Sequence, residues 1–68
     1  MSFGLKILNY AVVFRDARGC SVTIRFPKTT FGYAIEQAIE FLYDHRAAIA
    51  LDYNSSYIYK VYPYRVIK

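Results

Sequence analysis

The 68-residue sequence predicts a two-layer α+β sandwich, with an antiparallel sheet of three or four strands (β-β-α-β, with a possible further strand) and one helix packed on one sheet face. Three observations predict it. Two β-rich runs flank the turn-forming RDARG, one amphipathic run from Phe31 repeats with helical period, and the chain closes on the aromatic run YIYKVYPYRVIK. A chain this short forms one domain, residues 1–68, near the size at which a single core sustains itself without disulfides or metal.

The first run, LKILNYAVVF over residues 5–14, carries apolar residues on both parities, which suits a central strand buried on both faces. RDARG then supplies Asp16 and Gly19 as turn residues. SVTIRF alternates, with Val22, Ile24 and Phe26 on one side and Ser21, Thr23 and Arg25 on the other, so the pair reads as an antiparallel hairpin with one wet face. Pro27 is expected to stop the second strand, with Thr29 or Thr30 as the N-cap of the next element.

From Phe31 to about Arg46 the spacing predicts a helix, with Phe31, Ile35, Ala38, Ile39 and Leu42 facing the core and Glu36, Gln37, Glu40 and Asp44 facing water. AAIALDY fits either an extension of that helix or a short strand. Asn54, Ser55 and Ser56 mark a turn, and Pro63 makes the last run an edge strand or breaks it.

An apolar content of 56% against 21% charged residues is that of a folded domain. One cysteine, Cys20, permits no internal disulfide, so a reducing, cytoplasmic setting is expected. No run approaches the ~20 apolar residues of a membrane helix, and the N-terminal run lacks the pattern of a signal peptide. The net charge of +4 is unevenly placed: residues 1–28 carry +4, residues 29–56 carry −3 and residues 57–68 carry +3.

The tyrosine-rich tail has three possible uses. Strict alternation puts Tyr57, Tyr59 and Val61 on one face and Ile58, Lys60, Tyr62, Tyr64 and Val66 on the other, unless Pro63 shifts the register. The rings can furnish the core and cross-strand pairs of a small sheet. With Lys60, Arg65 and Arg25 they can instead form a protein-binding hot spot. The same combination of rings and cations suits single-stranded RNA or DNA bound through the sheet face. The exposed C-terminal edge can also pair with a second copy as a homodimer.

Glu36, Glu40 and Asp44 form an acidic stripe along the helix, which reads as a solvated face or as a ridge for a basic partner. Catalysis is not expected. His45 and Cys20 are the only residues of their types and sit on different elements, His45 where it can bond the last helix carbonyls. Neither zinc nor calcium spacing is present, the glycines form no phosphate loop, and no cofactor is expected.

In size, tyrosine content and opposed charges the chain looks like the small inhibitors that phages and mobile elements direct at host defence complexes, such as anti-CRISPR proteins. That likeness covers size and composition. It implies a non-enzymatic module that blocks a larger protein or nucleoprotein complex by contact, with no membrane involved.

Overall fold

The computed structural model describes residues 7–65. They form a β-β-α-β domain: β1 (Leu8–Arg15), β2 (Ser21–Thr29), α1 (Phe31–Asp44), a short 3-10 helix (Tyr53–Ser55) and β3 (Tyr57–Tyr64). The three strands make an antiparallel sheet in the order β2-β1-β3, and α1 packs chiefly over β1 and β2. The central position of β1 explains its apolar residues on both parities, with Val12 and Ala11 fully buried on opposite sides. Leu5, Lys6, Val66 and Lys68 lie outside the described residues.

The β1–β2 turn closes through Gly19 N–H to the Asp16 carbonyl at 3.0 Å, with Gly19 at φ 89°, a left-handed value that glycine adopts without steric cost. Asp16, buried at 2% exposure, then ties the hairpin to the loop before β3. Its carboxylate accepts the amides of Arg18 (3.0 Å), Cys20 (3.0 Å) and Asp52 (2.9 Å) and two nitrogens of the Arg18 guanidinium (3.1 and 2.9 Å). The Asp52 amide bond is the main cause that lowers the Asp16 pKa from 3.8 to about 2; the bonds from Arg18 and Cys20 add to it, against the opposing push of burial.

Pro27 does not stop β2. The strand continues to Thr29 because a bulge absorbs the proline: between the pairs Tyr10–Phe26 and Leu8–Thr29, β1 has only Asn9 where β2 has both Pro27 and Lys28. Lys28 takes the left-handed φ of 51° that the bulge demands, and its N–H donates to Asn9 Oδ1 at 2.9 Å. As part of an edge strand, Pro27 can lack an N–H without breaking the ladder.

Thr30 is the N-cap of α1, its Oγ1 accepting from Tyr33 N–H at 3.3 Å. Thr30→Ala is expected to cost about 1 kcal/mol, measured by urea unfolding. At the other end, His45 N–H and its ring Nδ1 both bond the Phe41 carbonyl. The helix therefore ends at Asp44, short of Arg46.

The buried face of α1 matches the expected one at Ala38 and Leu42 and departs from it at Ala34, Phe31 and Ile39. Ala34, Ala38 and Leu42 point into the core, while Phe31 (43% exposed) and Ile39 (52%) lie largely outside it. The sheet contributes Tyr10, Val12 and Phe14, and the helix meets them closely through the small Ala34 and Ala38, with Leu42 completing the contact towards its end. Phe31 keeps an edge-to-face contact with Tyr10, at 5.8 Å between ring centres.

The segment AAIALDY is neither helix nor strand. His45 O accepts Ala48 and Ile49 N–H in a turn, Leu51 is buried, and the Asp52 amide goes to Asp16. The turn marked by Asn54 and Ser55 is the 3-10 helix.

Candidate functional site

β3 lies at the sheet edge and runs through Pro63 unbroken. Its tyrosines do not follow strict alternation. Phe14 pairs with Ile58 and Val13 with Lys60, so Tyr59 is an extra residue on β3, a bulge that slips the register by one. The slip occurs at Tyr59 and not at Pro63. Ile58 before the bulge and Val61 after it both pack against the core beneath α1.

The register therefore puts Tyr57 beside Arg15, Lys60 beside Val13, Tyr62 beside Ala11 and Tyr64 beside Asn9, all on the sheet face away from α1. Tyr59 joins them. The Arg15 guanidinium carbon sits over its ring at 3.8 Å from the centroid, and Arg15 belongs to the same uncovered face. All four tail tyrosines thus share one face, with Tyr57, at the corner, also bordering a groove beside α1. Tyr57 is 49% exposed and Tyr59 51%, while Tyr62 and Tyr64 are half-buried. Of the eight tyrosines only Tyr10 is buried.

Cations are set among these rings. Arg25 reaches over Tyr64 at 5.9 Å and Lys60 over Tyr62 at 5.5 Å, within the range of cation–π attraction. Ala11 is fully buried although it faces the uncovered side, flanked by Arg25 and Tyr62 as its cross-strand neighbours. Arg15 Nε is buried with no hydrogen-bond partner, and its planar group is held by the Tyr59 ring instead. Arg65 is exposed just beyond β3, where it lines an open groove of about 320 Å³ with Lys28 and Tyr64.

No carboxylate lies in any of the three strands, and the only ion pair among the described residues joins Arg18 to Asp16 at 2.9 Å. The cations of the uncovered face are thus not neutralised by a described acidic side chain. Glu36, Glu40 and Asp44 are exposed on α1, on the other side of the sheet. The result is a molecule with one positive aromatic face and one negative helical ridge.

Of the residues singled out from sequence, Tyr57, Tyr59, Lys60, Tyr62, Tyr64 and Arg25 meet on one face, and Arg65 stands at its end. Arg15 and Lys28 were missed. The hairpin register held the signal for Arg15, which is opposite in parity to Tyr10, Val12 and Phe14; Lys28 depends on the bulge. Cys20 is exposed at the hairpin, and the His45 ring is engaged with Phe41, by hydrogen bond and by stacking at 4.1 Å. No group of three or more metal-binding side chains occurs among the described residues. Among them, too, no helix is long and apolar enough to cross a membrane.

Comparison with known protein families, with curated proteins and with solved structures returns no match to this chain.

Proposed function

We propose that this protein is a non-enzymatic binding module and that the uncovered sheet face is its docking surface for a larger, negatively charged protein or nucleoprotein complex. One observation carries the reading: the Tyr59 bulge gathers four tyrosines with Arg15, Arg25 and Lys60 on a face that holds no carboxylate among the described residues. Tyrosine buries a large area at low entropic cost, arginine adds a planar, multiply donating charge, and a face with no carboxylate among the described residues attracts an anionic partner at long range. Bound this way, a domain of 7.9 kDa works by covering its target, as the small counter-defence inhibitors it resembles in size and composition do.

The test is affinity capture with paired charge reversals. Arg25→Glu with Lys60→Glu is expected to release the captured partner, while Glu36→Lys with Glu40→Lys leaves it bound. Loss of the partner only in the helix variant would move the working surface to the acidic ridge.

Self-pairing along β3 is the second reading, favoured by the position of that strand at the sheet edge. Pro63 and the bulge interrupt the row of groups such pairing would use. Light scattering separates the two readings: a particle of 7.9 kDa fits the docking module, and one of twice that mass fits the paired edge.

A further inference from the structure

We infer that the ligand of the uncovered sheet face is an extended, single-stranded stretch of nucleic acid, an inference that rests on the docking reading above and names the chemistry of what docks. The rings are the first reason. Tyr57, Tyr59, Tyr62 and Tyr64 run along a single strand instead of converging on one pocket, so they offer a track. Rings two residues apart on a strand stand ~6.6 Å apart. That is about twice the ~3.4 Å rise per nucleotide of a stacked duplex strand. Successive bases can meet successive rings only if the strand is unstacked and drawn out, which a duplex is not.

Charge placement is the second reason. Arg15 on the neighbouring strand, Arg25 on the far strand and Lys60 within the track each lie over one face of a ring, so positive charge accompanies the rings along their length while the other ring face is left for a base. Lys28 and Arg65 continue the positive charge into the groove beside Tyr64. The third reason is what the face lacks. Its aliphatic side chains within the strands are only Ala11, fully buried, and Val13, half-buried, and Ile7 is exposed at its end in the groove beside Tyr64, so rings and cations make up most of what it presents. Ser21 and Thr23 are exposed there and supply hydrogen bonds suited to bases or phosphates.

Three to five phosphate contacts on a single strand imply that log K falls against log salt with a slope of about −2 to −3.5. Each base stacked on a ring adds ~1–3 kcal/mol, so losing one ring costs about 5- to 150-fold in affinity. The backbone contacts are independent of sequence, so discrimination among bases is expected to be weak.

The experiment is fluorescence anisotropy on the intact protein with labelled oligo(dT) and oligo(U) of about twelve nucleotides, longer than the four-ring track so that it can be filled completely. A duplex of the same length and polyglutamate serve as competitors. The single strands are expected to bind with that salt slope, and duplex and polyglutamate to compete at least about tenfold more weakly. Tyr59→Leu and Tyr62→Leu are each expected to weaken binding within the range given, and Glu40→Gln to leave it unchanged. Should a leucine variant fail to melt cooperatively, Arg25→Glu and Lys60→Glu carry the same comparison on exposed side chains.

No binding at about 50 mM salt, or equal competition by polyglutamate, overturns the inference. If the oligonucleotides fail while Arg25→Glu with Lys60→Glu still releases a captured protein, the ligand class is wrong and the docking face stands. If those substitutions change neither, both fall.

Discussion

Replacing Phe14 with alanine is expected to remove about a third or more of the stability of the whole domain. Phe14 is 2% exposed and belongs to the one cluster that joins the central strand to Ala38 and Leu42 of the helix. Removing a buried phenylalanine ring costs ~3–5 kcal/mol, from lost transfer energy and the cavity left behind. A domain of this size has only ~3–10 kcal/mol of total stability at ~0.05–0.15 kcal/mol per residue. Ala34 and Ala38 of the helix are too small to expand into the space the ring would leave. Urea unfolding followed by circular dichroism measures it. Phe14→Leu, which keeps most of the volume, is expected to remain folded at a cost of about 1.5 kcal/mol or less. Similar stability for the alanine variant and the wild type would show that the helix is not packed on the sheet as described.

Asp16→Ala is expected to be the most damaging polar substitution, lowering the melting temperature by about 10 °C or more. The carboxylate is the sole side-chain acceptor for the amides of Arg18, Cys20 and Asp52, and it anchors the Arg18 guanidinium, which also reaches the Ala50 carbonyl at 2.8 Å. Without it, three amides at the junction of hairpin and loop lose their partner. The pH dependence follows from the same contacts. The folded carboxyl titrates at about 2, below its ordinary 3.8, so folding favours the ionised form. Its contribution is whole above pH 4 and fades as the pH falls towards 2. Thermal melts between pH 5 and 2 should therefore show a decline in the wild type that is reduced in Asp16→Asn. An unchanged acid decline in that variant would place the sensitivity elsewhere.

How far the sequence can be read depends on whether a feature is local. The hairpin, the Thr30 cap and the His45 helix end are each set by residues within a few positions of one another, and period and turn chemistry reveal them. The segment 47–53 is different. Its path is fixed by the Asp16 carboxylate capturing the Asp52 amide, 36 residues away in the chain, and no local pattern in AAIALDY announces that contact. The helix face was misjudged for a related reason. Hydropathy favours Phe31 and Ile39 as core residues beside Ala38 and Leu42, but bulky sheet side chains bring the helix close through Ala34 and Ala38 and leave Phe31 and Ile39 largely outside.

The tyrosines of β3 show the same limit most clearly. Their number and their neighbouring cations are plain in the sequence, but alternation alone divides them between two faces. One inserted residue in the ladder, Tyr59, brings them together. Bulges arise from how two strands fit and twist, and composition does not encode their position.

Nuclear Overhauser contacts from the rings of Tyr59 and Tyr62 test that gathering most directly. With the bulge at Tyr59, the Tyr59 ring reports contacts to the Arg15 side chain and the Tyr62 ring to the Ala11 methyl, and neither ring to Leu42 or Phe14. Contacts from either ring to Leu42 or Phe14 would mean that the strand alternates without a slip, that its tyrosines are split between core and solvent, and that no common aromatic face exists.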